Sequence, residues 1–228
     1  MPQPAPPAGT ICAMARHAYR HTMNRNLPSI VRFALIAAAT LAAPALSRAA
    51  PVVGQPAPDF ALTDINGRAH KLSEYKGRVV VLEWTNPECP IVRKHYESGN
   101  MPSLQKAATA DGVVWLSINS GHPGSEGDYD KPAVEAWLKA HSASPTAYFR
   151  DQDGKVGREY HATATPNMFV ITADGTLAYA GAIDSIASAD KSDIPHATNY
   201  VRAALDAVKS GRPVPVASTR PYGCSVKY

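Results

Sequence analysis

Hydrophobic positions along this chain follow two periods. Phe60 to Thr63 (FALT) and Ala69 to Leu72 alternate on either side of Asn66-Gly67, a hairpin signal. Val79 to Trp84 (VVVLEW) and Val113 to Asn119 (VVWLSIN) are short, nearly continuous apolar runs rich in β-branched residues, as buried central strands are. Between them, Ile91 to Ala110 has apolar residues at helical spacing, with a break at Gly99–Pro102. Lys131 to His141 predicts a further helix, with Pro132 tolerated in its first turn. Thr146 to Phe149 reads as a short extended piece, Asp151 to Gly154 as a turn, and Lys155 to Tyr160 as one short helix. Asn167 to Thr172 (NMFVIT) and Leu177 to Ile183 predict a second hairpin around Ala173-Asp174-Gly175. His196 to Ser210 predicts a last amphipathic helix, ended by Gly211. Ser120 to Asp130 is a loop, and Pro213 to Tyr228 a tail without periodicity.

The order β-α-β, then α, then a β-hairpin and α implies parallel strands joined by a crossover, with the hairpin closing one edge. That is the plan of an α/β protein of thioredoxin-like fold, a central mixed sheet flanked by helices. Function is then expected at the carboxyl end of the central strand.

Charge changes the picture at one end only. The chain has 23 basic and 19 acidic residues, a formal net charge of +4. Five of the basic residues, Arg16, Arg20, Arg25, Arg32 and Arg48, fall in residues 1–49, which contain no acidic residue. The remainder is close to neutral, which argues against a nucleic-acid-binding surface. Residues 1–49 read as a leader with a secretory signal. Arg25 and Arg32 precede an apolar stretch, Phe33 to Leu46, and Ser47-Arg48-Ala49 offers small residues for cleavage. The stretch is too short for a stable membrane span and is interrupted by Pro44. Met23 is an alternative start. The expected organisation is therefore a leader (1–49), a thioredoxin-like domain (50–212) and a tail (213–228), in a protein exported to the periplasm or beyond. An uncleaved amino-terminal anchor is the competing reading.

Export leaves two of the three cysteines, since Cys12 goes with the leader. Cys89 follows a central strand, and Pro90 is pre-set for the first turn of a helix. There its sulfur would receive unpaired backbone N–H groups and the positive end of the helix dipole, which favours the reactive thiolate. Arg93 and Lys94 would add positive charge, and Glu88 would oppose it. The alternative is a buried, inert small hydrophobe. Cys224 lies in the tail, which can fold back over the carboxyl edge of the sheet. It could resolve an oxidised Cys89, form a purely structural bond with it, or pair with another molecule; Lys227 would favour its thiolate. Thr165-Pro166 precedes the third core strand, where this fold commonly has a cis proline against the reactive sulfur and a neighbouring backbone able to pair with an extended substrate. His95, His122 and His161 are candidates for proton transfer or, with Cys89, for copper. Trp84 reads as strand core, and Glu126, Asp128 and Asp130 as a solvated loop.

Gly54-Gln55-Pro56-Ala57-Pro58-Asp59-Phe60 resembles the entry of the alkyl hydroperoxide reductase/thiol-specific antioxidant family. Glu88 to Val92 (ECPIV), Pro213-Val214-Pro215 and the ending Tyr222 to Tyr228 (YGCSVKY) resemble its peroxiredoxin-like branch in the thioredoxin superfamily. The resemblance spans about residues 51–228. It implies a thioredoxin fold, antioxidant or oxidoreductase activity, and Cys89 as the reactive thiol. Three departures stand out. Val92 occupies the second position of the thioredoxin Cys-x-x-Cys. Asn86 stands where peroxiredoxins carry the peroxide-holding Thr. Asn167 stands where they carry an Arg.

The expected function is thiol-dependent redox chemistry on a disulfide or hydroperoxide, with catalytic residues Cys89, Cys224, Thr165 and Pro166. No cofactor or metal is expected beyond the cysteines and an external thiol reductant. The partners are that reductant or a thiol-bearing client protein, with a small hydroperoxide as another substrate. The alternatives are a copper or thiol-partner binding module and a redox-inert, disulfide-stapled domain.

Overall fold

The computed structural model describes residues 50–228. The leader, its signal and Cys12 lie outside the described residues. In chain order the strands and helices are β1 (Ala61–Thr63), β2 (Ala69–Lys71), β3 (Val80–Trp84), α1 (Pro90–Glu97), α2 (Asn100–Ala110), β4 (Val114–Asn119) and α3 (Lys131–Ala140). There follow β5 (Ala147–Arg150), α4 (Lys155–Glu159), β6 (Ala164–Thr165), β7 (Asn167–Ile171), β8 (Leu177–Gly181), α5 (Tyr200–Lys209) and β9 (Cys224–Ser225).

Five strands form the central sheet in the order β5-β4-β3-β7-β8. β3, β4 and β5 are parallel, while β7 and β8 run antiparallel and close one edge. Every residue of β3, β4 and β7 is buried, as their near-continuous apolar sequences require. Alternation along β3 divides the core in two. Val81 faces α1, α2, α3 and α5, where Val92, Tyr96, Leu104, Trp137, Val201 and Leu205 gather. Val80, Leu82 and Trp84 face the opposite side, where Phe60, Phe149, Val156, Tyr160 and Phe169 pack beneath the β1–β2 hairpin and α4. This is the thioredoxin-like architecture the element order implied.

The structure corrects one expectation and refines another. α5 starts at Tyr200 rather than His196, because the Asn199 side chain accepts from the Arg202 amide at 2.9 Å and caps the helix there; Lys191–His196 is a separate 3-10 turn. The tail, read from sequence only as lacking periodicity, contributes a strand. β9 pairs antiparallel with β6, placing Thr165 opposite Cys224. Among the described residues, no helix is long and apolar enough to cross a membrane.

Candidate active site at Cys89

Cys89 caps α1. Its extended backbone (φ −67°, ψ 123°) leads into Pro90 in the first turn, and its carbonyl accepts from the Arg93 amide at 2.9 Å. The side chain is fully buried. Its Sγ lies 3.1 Å from the carbonyl oxygen of Thr165 and 3.4 Å from the amide nitrogen of Cys224. The Thr165–Pro166 peptide bond is cis. The structure thus brings Cys89, Thr165, Pro166 and Cys224 together, and both cysteines are free thiols.

Burial works against ionisation of Cys89. The Cys224 thiol, Thr165, and the amides of Val92 and Cys224 outweigh it and hold the pKa below the ordinary thiol value. As a thiol, Cys89 donates to the Thr165 carbonyl at 3.1 Å; as a thiolate, it accepts from the Cys224 amide at 3.4 Å and no longer has a proton for that carbonyl. Cys224 moves the opposite way. Burial, hydrogen bonding to Cys89 and the charge of that neighbour push it up to about 12. The nearby Lys227 acts in the expected direction and lowers it, but only as a lesser influence that the others outweigh.

The charges expected to assist Cys89 point elsewhere. Arg93 is engaged by Glu97 at 3.3 Å and Glu88 at 3.8 Å. Lys94 is buried, and its Nζ has no hydrogen-bond partner among the described residues. The local amides and the neighbouring thiol, not side-chain cations, therefore tune the sulfur.

The two asparagines that depart from the peroxiredoxin pattern serve the scaffold. Asn86 Oδ1 accepts from the Glu88 amide at 2.9 Å, and its Nδ2 donates to the Glu126 carbonyl at 3.1 Å. Asn167 Oδ1 accepts from the Thr163 amide at 3.3 Å, and its Nδ2 donates to the Gly181 carbonyl at 3.4 Å.

The candidate histidines occupy separate places. His95 is buried on α1, with Nδ1 2.8 Å from Asn100 Nδ2 and Nε2 3.8 Å from Asp184. The Tyr222 hydroxyl donates to Asp184 and lies 3.5 Å from His95 Nε2. His122 meets the tail through its amide, which donates to the Lys227 carbonyl at 2.8 Å. His161 has a positive φ of 51° after α4. Among the described residues, no group of three or more His, Cys, Asp or Glu side chains is placed to hold a metal ion.

One buried group escaped the sequence reading. Glu83 sits fully buried on β3 and accepts from Tyr96 Oη at 2.7 Å, Gln105 Nε2 at 3.0 Å, Trp115 Nε1 at 2.7 Å and Ser117 Oγ at 3.0 Å. Burial raises its pKa despite these donors. Its one sequence signal is an acid inside the apolar run VVVLEW.

A thiol-disulfide oxidoreductase ResA from Geobacillus kaustophilus is 30% identical over 130 residues, covering 57% of this chain and 69% of the relative. The methylamine utilization protein MauD of Paracoccus denitrificans is 32% identical over 75 residues, covering 32% of this chain and 35% of the relative. A hypothetical protein of Sinorhizobium meliloti has a solved structure with a TM-score of 0.66 at 24% identity, covering 79% of this chain and 96% of that one. An uncharacterized conserved protein of Geobacillus kaustophilus gives a TM-score of 0.65 at 25% identity, covering 78% of this chain and 92% of that one. Residues 53–180, which include β3, Cys89 and the Thr165–Pro166 bond, match the AhpC/TSA family, and the chain belongs to it.

Proposed function

We propose that this protein is an exported thiol-disulfide oxidoreductase in which Cys89 is the nucleophile and Cys224 the resolving thiol. The supporting observation is the contact between the two cysteines, Cys89 held towards its thiolate and Cys224 held as a thiol. The name of the ResA relative points to the same chemistry.

On this reading the Cys89 thiolate attacks one sulfur of a client disulfide. The client's S–S bond breaks, a mixed disulfide forms with Cys89, and the other client sulfur leaves as a thiolate. Cys224 gives up its proton and attacks Cys89 Sγ. The second client sulfur departs, and the Cys89–Cys224 bond carries the two-electron oxidation. An external dithiol then reduces this bond, so no bound cofactor is needed. Thr165 and Pro166 position the sulfur, while the leader (1–49), domain (50–212) and tail (213–228) serve export, catalysis and resolution.

Hydroperoxide is the less favoured substrate, because Asn86 and Asn167 direct their amides into the scaffold. The test is dithiol-driven reduction of an aromatic disulfide. Cys89→Ser is expected to bring turnover down to background. Cys224→Ala is expected to accumulate a mixed disulfide on Cys89, seen by intact mass. Full turnover by Cys89→Ser would remove the assignment.

A further inference from the structure

The outer edge of β8 is covered by two different segments, one at each end. At its start the entry segment pairs with it. The Gly54 amide donates to the Leu177 carbonyl at 2.8 Å, and the Leu177 amide to the Gln55 carbonyl at 2.9 Å. At its end the tail takes over. The Ala180 amide donates to the Ala217 carbonyl at 3.2 Å, and the Thr219 amide to the Ala180 carbonyl at 3.1 Å. Between these two clamps neither segment makes a backbone hydrogen bond to the strand, and a cleft of about 660 Å³ opens. Val53 lines it from the entry segment, Ala178 from β8, and Val214 and Ala217 from the tail. Val79, just before β3, and Val208, near the end of α5, complete an aliphatic wall. The cleft therefore lies at the amino end of β3, whereas Cys89 follows its carboxyl end, and no lining residue belongs to the thiol site.

Its chemistry is read from its size, its lips and its polar groups. The volume falls in the range of small-molecule sites. Val52 and Val216, next in sequence to the lining residues Val53 and Ala217, are 59% and 43% exposed, so apolar surface continues beside the cleft on both segments. The polar groups are unequally satisfied. The Asp174 carboxylate accepts from Thr172 Oγ1, and from the Thr176 amide and Thr176 Oγ1 at 3.2 Å each, all within its own turn. The Arg212 backbone is held by its amide, which donates to the Ala207 carbonyl at 2.9 Å. Its guanidinium also lines the cleft, yet it makes no ion pair or hydrogen bond with another described residue. An aliphatic wall with one unpaired cation is complementary to an alkyl chain that ends in an anion.

We propose that this cleft binds a free aliphatic carboxylate, a molecule of the fatty-acid class. Its chain lies against Val53, Val79, Val208 and Val214, and its carboxylate meets Arg212. The site is separate from the redox centre and stands whether or not the oxidoreductase reading does.

The test is displacement of a fluorescent polyene fatty acid from the full-length chain by dodecanoate and by dodecanol, each below its aggregation limit. Dodecanoate is expected to bind about tenfold more tightly than dodecanol, the scale of one charge-assisted hydrogen bond. Arg212→Glu, at an exposed position, is expected to remove that preference and leave dodecanol unchanged. Ala178→Trp and, from the opposite wall, Ala217→Trp are expected to fill the cleft and abolish binding of both; circular dichroism shows which of these variants is folded. Binding by the folded tryptophan variants as in the native chain overturns this location, and so does a native chain that binds neither compound. Equal affinity for acid and alcohol overturns the role of Arg212 and the ligand class with it. Sedimentation with phosphatidylglycerol vesicles, without binding of dodecanoate, would assign this face to a membrane and overturn the proposal of a free ligand.

Discussion

Removing the Cys224 thiol takes one hydrogen bond from Cys89 Sγ but leaves the Val92 and Cys224 amides in place. In Cys224→Ala the Cys89 pKa is expected to rise towards the ordinary thiol value, and the pH profile of its alkylation by iodoacetamide to move to higher pH. An unmoved profile would mean that the amides alone hold the thiolate. Glu83 makes a prediction of a different kind. Its replacement by alanine leaves Trp115 Nε1, an obligate donor, buried without an acceptor, while Gln105 Nε2 keeps only the Tyr96 hydroxyl at 3.0 Å. Glu83→Ala is expected to cost about 3–5 kcal/mol in urea unfolding. Glu83→Gln should cost less, because its amide can face the Tyr96 hydroxyl. Equal losses in the two variants would show that volume, not pairing, sets the cost. Cys89, Thr165 and Pro166 were legible because their signals are local: a strand, then Cys-Pro opening a helix, and a proline before a later strand. The Glu83 cluster was not. Its partners lie on β4, α1 and α2, and spacing along the chain gives no measure of those distances. The influence expected of Arg93 and Lys94 failed for a related reason, since proximity along a helix does not say which way a long side chain turns.

His95 joins three segments: α1, which carries it; the stretch after β8 holding Asp184; and the tail through Tyr222. Burial lowers its pKa from 6.5 to about 4; Asp184 opposes this, and Lys94 adds to it. The unfolded chain therefore takes up the proton first as pH falls. The stability this residue contributes is full above about 6.5 and is lost as pH drops towards about 4. The loss is on the order of 3 kcal/mol if the shift is realised in full. Denaturant unfolding at several pH values should show it in the native chain and much less of it in His95→Gln; identical pH dependence in both would refute it. At this scale the sequence was most informative where an apolar run or a period was long, as in β3, β4, α3 and the β7–β8 hairpin. It was least informative for β6 and β9. A strand of two residues has no period, and its existence depends on a partner about sixty positions away in the chain. The start of α5 moved to Tyr200 because the Asn199 cap outweighed the apolar spacing that seemed to extend upstream.

The chain order placed a mixed sheet between helices and the chemistry at its carboxyl end. Both follow from connection rules that hold regardless of side-chain detail. What those rules do not fix is where a tail goes, and here it covers the site. Oxidation would link residues 135 positions apart. By chain entropy alone this should make the oxidised form more stable than the reduced one by up to about 5 kcal/mol. Thermal unfolding in the presence and absence of reductant measures the difference. A reduced form at least as stable would mean that bond formation strains the packing of the tail. The division of proton affinity between the two sulfurs carries a last consequence. A bond between a sulfur favoured as thiolate by neighbouring amides and one whose ionisation burial opposes breaks unevenly, because the more acidic partner is the better leaving group. An incoming reductant is therefore directed to the partly exposed Cys224 and expels Cys89, which is sealed below. Electrons would enter by the outer sulfur and leave by the inner one, a fixed direction of traffic set by two unequal thiols.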